Sequence, residues 1–125
     1  MNLKSKKINI ILFMSILFFL IVLFIKIINF DSKPIQPFGI TILDVVSNSM
    51  NPSIRKGNMI IVKKQNDYEE GDVITYIGSD ENLVTHRIVR KYENVFITKG
   101  DNNNVEDESE VKKEQIIGKV IYVFN

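Results

Sequence analysis

An uninterrupted apolar run near the N-terminus is the feature that most constrains this chain. Residues Ile8–Ile25 read INIILFMSILFFLIVLFI, and Asn9 and Ser15 are the only polar residues among them. At a rise of about 1.5 Å per residue, a helix over this run is about 27 Å long, and extension to Ile28 brings it to about 31 Å. A chain of 125 residues cannot surround a helix that is apolar on every side. We therefore predict a membrane-spanning anchor over residues 8–28.

The flanks of this run predict an uncleaved anchor and its orientation. A cleaved leader has small residues after its apolar core, whereas Ile27–Phe30 reads IINF. Residues 1–7 carry three lysines, and Lys26 and Lys33 follow the run. Because positive charge favours the cytoplasmic side, we expect residues 1–7 in the cytoplasm and residues 31–125 outside a cell membrane that the chain crosses once.

The remainder of the chain predicts β-structure. Pro34 and Pro37 make residues 29–38 a short stiff linker that ends the helix. Residues 39–125 contain runs rich in β-branched residues, separated by breaks with glycine, asparagine or aspartate. The predicted strands are Ile40–Val46, Met59–Lys64, Val73–Ile77, Val84–Val89, Val95–Thr98 and Ile116–Phe124. The expected fold class is mainly β: a small antiparallel, partly closed β domain preceded by one transmembrane helix.

Composition excludes several classes of function. The chain has no cysteine, which excludes disulfides, zinc–thiolate sites and a thiol nucleophile. Its single histidine would leave carboxylates as nearly all the ligands of a metal site, and we expect neither a metal nor another cofactor. All 15 acidic residues lie after Phe30, so the external part is mildly acidic and nucleic acid is not an expected partner. Any hydrolase that needs a histidine must use His86.

A serine-containing turn follows the first predicted strand. Residues Ser47–Pro52 read SNSMNP, and by themselves they are typical of a polar turn whose direction is fixed by Pro52. The catalytic alternative makes Ser49 a nucleophile with its own backbone N–H turned toward the attacked carbonyl. In that case the Ser47 hydroxyl could contribute to the same oxyanion hole.

The only histidine lies in another predicted strand. With a strand period of two, His86 shares a face with Val84 and Ile88, whereas Thr85 and Arg87 point the other way. By itself this pattern is typical of a core histidine satisfied by one hydrogen bond. An imidazole against an apolar wall also stays neutral at pH 7, as a general base requires.

An acidic segment supplies candidates for a third group. Residues Lys99–Asp107 read KGDNNNVED, which by itself is typical of a solvated loop. A serine–histidine pair works best when a carboxylate fixes the imidazole tautomer, and Asp101 and Asp107 are the acids that a structured turn could aim inward. Glu106 and Glu108 flank Asp107 and are expected to face water. Spacing alone does not choose between the two aspartates.

Five motifs occur in one order after the anchor: SNSMNP, KGNMIIV, GDVITY, THRIV and KGDNN followed by an aspartate. In this order they resemble type I signal peptidases of the ER-type branch, shared by eukaryotic microsomes, archaea and some spore-forming Gram-positive bacteria. The resemblance runs from about Val45 to Val120. It implies a β-rich catalytic domain at the outer membrane face, with a serine nucleophile and a histidine base where the other bacterial branch uses lysine.

The resemblance also implies roles for individual residues. At matching positions Ser49 is the nucleophile and His86 is the base. Asp107 matches the family's catalytic aspartate and Asp101 the other important one, while Ser47 matches the residue assigned to the oxyanion hole. Arg87, beside the histidine, stays protonated and cannot act as a base.

The implied substrates are preproteins that carry a signal peptide, cut after a small-x-small motif. The implied partners are these preproteins and the lipid bilayer, with the Sec translocon as a further candidate. The strand over residues 40–46 leads into the serine turn and could pair with an extended substrate segment. Ile42, Val45 and Met50 are expected to leave shallow pockets that favour small side chains.

Two departures and two alternatives accompany this interpretation. Asn58 stands where the family usually has aspartate, and the chain ends at Asn125 where many ER-type relatives continue into a second membrane helix. One alternative is a Ser-Lys autoprotease domain of the SOS-repressor type, which the anchor and the lack of a DNA-binding helix argue against. The other is a non-catalytic, membrane-anchored β module, which the presence of serine, histidine and both aspartates argues against.

Overall fold

The structure is a computed structural model that describes residues 3–28 and 36–125. It contains two compact units, one with the helix and one with all the strands. Helix α1 spans Leu3–Ile28, and its segment Lys6–Ile25 is long and apolar enough to cross a membrane by length and composition. The predicted linker falls largely outside the described residues, and its last part forms a short 3-10 turn, Pro37–Gly39.

Seven strands follow, and all six predicted strands are among them. They are β1 Ile40–Asp44, β2 Met59–Lys63, β3 Val73–Ile77, β4 Leu83–Tyr92, β5 Val95–Lys99, β6 Val111–Lys112 and β7 Ile116–Phe124. The short β6 was not predicted, because two residues give no alternation to recognise. A second 3-10 turn, Lys113–Gln115, connects β6 to β7.

The strands form one antiparallel sheet in the order β1-β2-β7-β3-β4-β5-β6. The last strand of the chain is therefore inserted between β2 and β3, and register shifts interrupt its pairing with both neighbours. Such shifts bend and twist a sheet locally. The mainly β, antiparallel class is confirmed. Within residues 36–125 the sheet is not closed, because the edge strands β1 and β6 each pair on one side only.

Two hydrophobic clusters form the core of the β domain, and each supports a different part of the site. The first contains Tyr68, Ile74, Tyr76, Ile88, Phe96, Val111 and Ile116. The second contains Met50, Ile54, Ile60, Val62 and Ile117. Met50 directly follows Ser49, whereas Ile88 lies two residues beyond His86 on the same strand face. Each candidate catalytic residue is thus adjacent to a buried side chain.

Candidate active site

The turn that carries Ser49 begins where the chain leaves β1. The Val45 N–H donates to the Asn58 carbonyl at 2.9 Å, and the Val45 carbonyl accepts from the Gly57 N–H at 2.8 Å. Asn58, the departure from the family pattern, also accepts the Arg55 N–H on its side-chain Oδ1 at 2.7 Å. Aspartate would offer the same type of acceptor, so asparagine preserves this turn contact.

Ser49 lies between a buried neighbour and an exposed one. Met50 is 2% exposed and packs in the second cluster, which fixes the chain immediately after the serine. Ser49 itself is half-buried, and its Oγ lies 3.2 Å from the Oγ of the exposed Ser47. The Ser47 hydroxyl, a candidate for the oxyanion hole, is therefore adjacent to the hydroxyl of the candidate nucleophile.

The carbonyl of Ser49 is held by the loop that follows β5. The Asn102 N–H donates to the Ser49 carbonyl at 2.8 Å. Gly100 approaches so closely that an added Cβ would lie 2.6 Å from the same oxygen. The Asp101 N–H contacts the Sδ of Met50 at 3.4 Å. These contacts fix the orientation of the peptide groups around the candidate nucleophile.

His86 lies on β4, opposite Ile74 of β3, and is 8% exposed. Its Nδ1 lies 2.6 Å from Oδ2 of Asp107. Because an ionised carboxylate only accepts hydrogen bonds, this contact places the proton of the neutral imidazole on Nδ1 and leaves Nε2 as an acceptor. The structure therefore brings Asp107, and not Asp101, to the imidazole.

Asp107 Oδ2 has two further donors that were not predicted. Thr98 Oγ1 donates to it at 2.7 Å and the Tyr76 hydroxyl at 3.3 Å. The Asp107 N–H also donates to the Thr98 carbonyl at 2.9 Å. Burial, more than the nearby Asp107 charge, raises the pKa of Tyr76 to about 12, so its hydroxyl is a neutral donor at physiological pH.

Asp101 is engaged on the opposite face of β4. Arg87 Nε donates to Oδ1 at 2.9 Å and Nη2 donates to Oδ2 at 2.7 Å, while Ser53 Oγ donates to Oδ2 at 2.6 Å. Hydrogen bonds from Arg87 are the main cause that holds the pKa of Asp101 below its usual value, against the opposing effect of burial. In the same loop the Asn103 N–H donates to the Gly100 carbonyl at 2.9 Å.

A cleft of about 800 Å³ contains both Ser49 and His86 in its lining. One wall comes from residues 43–46 at the end of β1, and another from residues 81–86 at the start of β4. Val45 and Met50 line the cleft as expected, with Leu43 beside them. Ile42 does not line it, and this expectation was wrong. Strand alternation turns its side chain to the outer face, where it is 60% exposed.

Three residues around the site, Tyr76, Thr98 and Ser53, were not predicted, and neither was the partner of Arg87. Thr98 and Tyr76 lie two residues after the buried Phe96 and Ile74, so they lie on the same inward face of their strands. An inward polar side chain needs a partner, which is the signal that could have identified them. Within residues 3–28 and 36–125, no group of histidine and carboxylates is arranged to hold a metal ion.

Comparisons with known proteins identify the family. A family model described as Peptidase S24-like matches residues 24–121. Signal peptidase I W of Bacillus subtilis (strain 168) is 38% identical over an alignment of 120 residues that covers 89% of this chain and 63% of the relative. The signal peptidase complex catalytic subunit SEC11 of Metarhizium robertsii is 33% identical over an alignment of 98 residues that covers 66% of this chain and 57% of the relative.

The chain thus spans less than two thirds of the length of each of these relatives. The matches confirm the resemblance to type I signal peptidases of the ER-type branch. The family match includes the serine turn, the histidine strand and both aspartates. Because it covers most of the 125 residues, the protein belongs to the Peptidase S24-like family.

Proposed function

We propose that this protein is a membrane-bound serine endopeptidase that removes N-terminal signal peptides from exported preproteins after a small-x-small motif. The observation that carries the proposal is that Ser49 and His86 line the same cleft and that His86 Nδ1 lies 2.6 Å from Asp107 Oδ2. Membership of a peptidase family and similarity to signal peptidases support the reaction and the substrate class.

In the proposed reaction His86 Nε2 accepts the proton of Ser49 Oγ as this oxygen attacks the scissile carbonyl. Asp107 stabilises the imidazolium that forms, because its Oδ2 is already bonded to Nδ1. The Ser49 N–H and the Ser47 hydroxyl stabilise the oxyanion. His86 then gives its proton to the leaving amine, and water releases the acyl group in the second half of the reaction.

The free edge of β1 supports the binding of an extended substrate. Gly39 accepts the Lys64 N–H at 2.8 Å, and Val45 donates to Asn58, so the odd-numbered residues exchange bonds with the β2 side. In an antiparallel pair the alternate residues direct their backbone N–H and C=O groups away from that partner. The even-numbered backbone positions of β1 can therefore pair with a substrate strand that enters the cleft.

The location of the enzyme is part of the proposal. We infer that residues 8–28 cross the cell membrane once, with residues 1–7 in the cytoplasm and residues 39–125 outside. The length and apolar composition of α1 support a span, and the lysines before it support the orientation. Preproteins emerging from the Sec translocon would meet the cleft while their signal helix is still in the bilayer.

The cleft also bears on the Ser-Lys alternative. A lysine base must reach the nucleophile within hydrogen-bond distance, either directly or through one water. Among the described residues, the lining of the cleft includes His86 and contains no lysine. The observed geometry therefore supports histidine as the base.

The test uses the full chain in lipid vesicles with a purified preprotein added in trans. If Ser49 and His86 act as one unit, Ser49→Ala, His86→Ala and the double variant should lose similar activity, because effects within a coupled unit do not add. Ser79→Ala is the matched control, since this serine is exposed in another turn of the domain. Processing by Ser49→Ala at the wild-type rate would contradict the proposal, as would cleavage confined to the chain itself.

A further inference from the structure

The sheet does not fix the direction of the Asp107 side chain, because Asp107 lies outside the strands. It lies in the loop between β5 and β6, whereas His86 lies within β4. A side chain on such a loop needs contacts of its own to keep one orientation. The contacts of Asp107 come from the two strands that flank β4, through Thr98 on β5 and Tyr76 on β3.

Thr98 holds Asp107 at two points. Its carbonyl accepts the Asp107 N–H at 2.9 Å, and its Oγ1 donates to Asp107 Oδ2 at 2.7 Å. Thr98 is fully buried and pairs with Ile88 of β4. The same oxygen of Asp107 that meets His86 is therefore tied to a rigid strand next to the one that carries the histidine.

The Tyr76 hydroxyl completes the group. It lies 3.1 Å from Thr98 Oγ1 and 3.3 Å from Asp107 Oδ2, and the tyrosine is 6% exposed. Thr98 has one hydroxyl proton, which is used on the carboxylate, so the proton between Tyr76 and this pair must come from the tyrosine. Tyr76 therefore donates to Thr98, to Asp107 or to both.

We propose that Tyr76 and Thr98 are positioning residues of the proposed peptidase, which orient Asp107 so that Oδ2 receives the Nδ1 proton of His86. The inference depends on the proposed function for its role in turnover. Neither residue lines the cleft, so they act through the aspartate and not on the substrate. Without them the carboxylate is free to turn away, the imidazole loses its fixed tautomer, and the imidazolium loses its partner.

The variants are chosen to remove single hydroxyls. Thr98→Val keeps a β-branched shape, and Tyr76→Phe keeps the ring in the first cluster. We expect kcat to fall about 10-fold to 100-fold in Thr98→Val and about 3-fold to 10-fold in Tyr76→Phe, with KM nearly unchanged. Thr98→Ser retains the hydroxyl and should restore most of the activity.

Matched controls separate positioning from stability. Thr75→Val removes another fully buried hydroxyl, one that is bonded to Thr85 Oγ1 at 2.8 Å. Tyr68→Phe removes another hydroxyl from the first cluster, one that accepts the Gln65 N–H at 3.1 Å. Both controls should lower stability without contacting Asp107, so their rate of processing should fall in acid over the same pH range as in the wild type. In Thr98→Val this acid limb of the rate profile should move to lower pH, because the imidazolium loses the support of the Asp107 carboxylate.

A second readout does not depend on peptidase activity. The chain has one histidine, so labelling with [¹⁵N]histidine gives NMR signals from His86 alone in the full chain in micelles. We expect the Nδ1–H tautomer in the wild type and in both controls, and a mixture of tautomers in Thr98→Val. An unchanged tautomer and an unmoved or raised acid limb in Thr98→Val would overturn the positioning role. A failure of the proposed function itself would be seen separately, because Ser49→Ala would then process the preprotein at the wild-type rate.

Discussion

Replacement of Asp101 by asparagine should destabilise the β domain while leaving the His86–Asp107 pair in place. The carboxylate accepts bonds from Arg87 at 2.9 and 2.7 Å and from Ser53 at 2.6 Å. Asparagine offers one neutral oxygen, so the charge and at least one of the guanidinium bonds are lost. The bond from Arg87 Nη1 to the Gly71 carbonyl, at 2.8 Å, does not involve residue 101 and is kept.

The magnitude follows from the bonds and their exposure. A hydrogen bond to a charged group contributes about 1.5–3 kcal/mol to stability. The side chains of Arg87 and Asp101 are 35% and 16% exposed, so water replaces part of what is lost. We therefore expect a net loss of about 1–3 kcal/mol in the free energy of unfolding. For a domain of about 90 residues this lowers Tm by about 5–20 °C.

The loss should also depend on pH. Hydrogen bonds from Arg87 hold the pKa of Asp101 below its ordinary value of 3.8 in the folded state. The stabilisation is then complete above this ordinary value, which applies to the unfolded chain, and disappears as pH falls through the lower folded-state pKa. Wild type and Asp101→Asn should differ most near neutral pH and converge progressively below about pH 4.

The assay is urea or thermal unfolding of the full chain in one detergent at several pH values. Glu106→Gln is the matched control. Glu106 pairs with Arg90, which lies on the same strand as Arg87, and both side chains of this pair are 40% or more exposed. That exposed pair should contribute only about 0–1 kcal/mol. A double-mutant cycle with Arg87→Gln isolates the coupling. An Asp101→Asn variant as stable as Glu106→Gln at pH 7, or a difference that persists below the acid transition, would refute the reasoning.

Three further predictions concern turnover. Asp107→Asn should keep the fold but lose about 10³-fold or more in kcat, because the imidazole is left in the wrong tautomer. Comparison of its preprotein processing and Tm with those of Asp101→Asn checks this division, and near-complete activity in Asp107→Asn would reverse it. The rate of wild-type processing should fall in acid, because a protonated His86 cannot accept the proton of Ser49. A flat profile between about pH 5 and 8 with chemistry rate-limiting would contradict a histidine base. Gly100→Ala should slow processing and should also lower the free energy of unfolding by about 1–3 kcal/mol, because its Cβ would meet the Ser49 carbonyl. In Gly118→Ala the added Cβ would meet the Lys63 backbone, away from the cleft, so this control should lower stability without lowering processing. If both variants lost the same activity for the same loss of stability, the role of Gly100 would be contradicted.

The strands could be predicted because each long run of β-branched residues is bounded by a break. The order of the strands could not, because it depends on contacts between distant parts of the chain. The insertion of β7 between β2 and β3 brings Val62 opposite Val120, residues separated by most of the β domain, and no local pattern encodes this. The position and orientation of the anchor relative to a membrane stay predictions.

The candidate site was predictable as far as alternation reaches. The pattern around His86 correctly placed Arg87 on the opposite face of the strand. The spacing of the sequence could not show whether Asp101 or Asp107 contacts His86. This depends on the face of β4 that each part of the loop approaches. Arg87 could have indicated the answer, because a guanidinium on the face opposite the histidine attracts one of the two nearby carboxylates and leaves the other for His86.

The loop between β5 and β6 connects the two halves of the candidate site. Ser49 follows β1 and His86 lies on β4, and three strands separate β1 from β4 in the sheet. The start of the loop holds the Ser49 carbonyl through Asn102, and its later part holds His86 through Asp107. The alignment of the proposed nucleophile and base thus depends on a segment without regular structure. Its shape is maintained by the Arg87–Asp101 pair on one face of β4 and by the Thr98 contacts on the other, so that stability and catalysis can be perturbed separately within one loop.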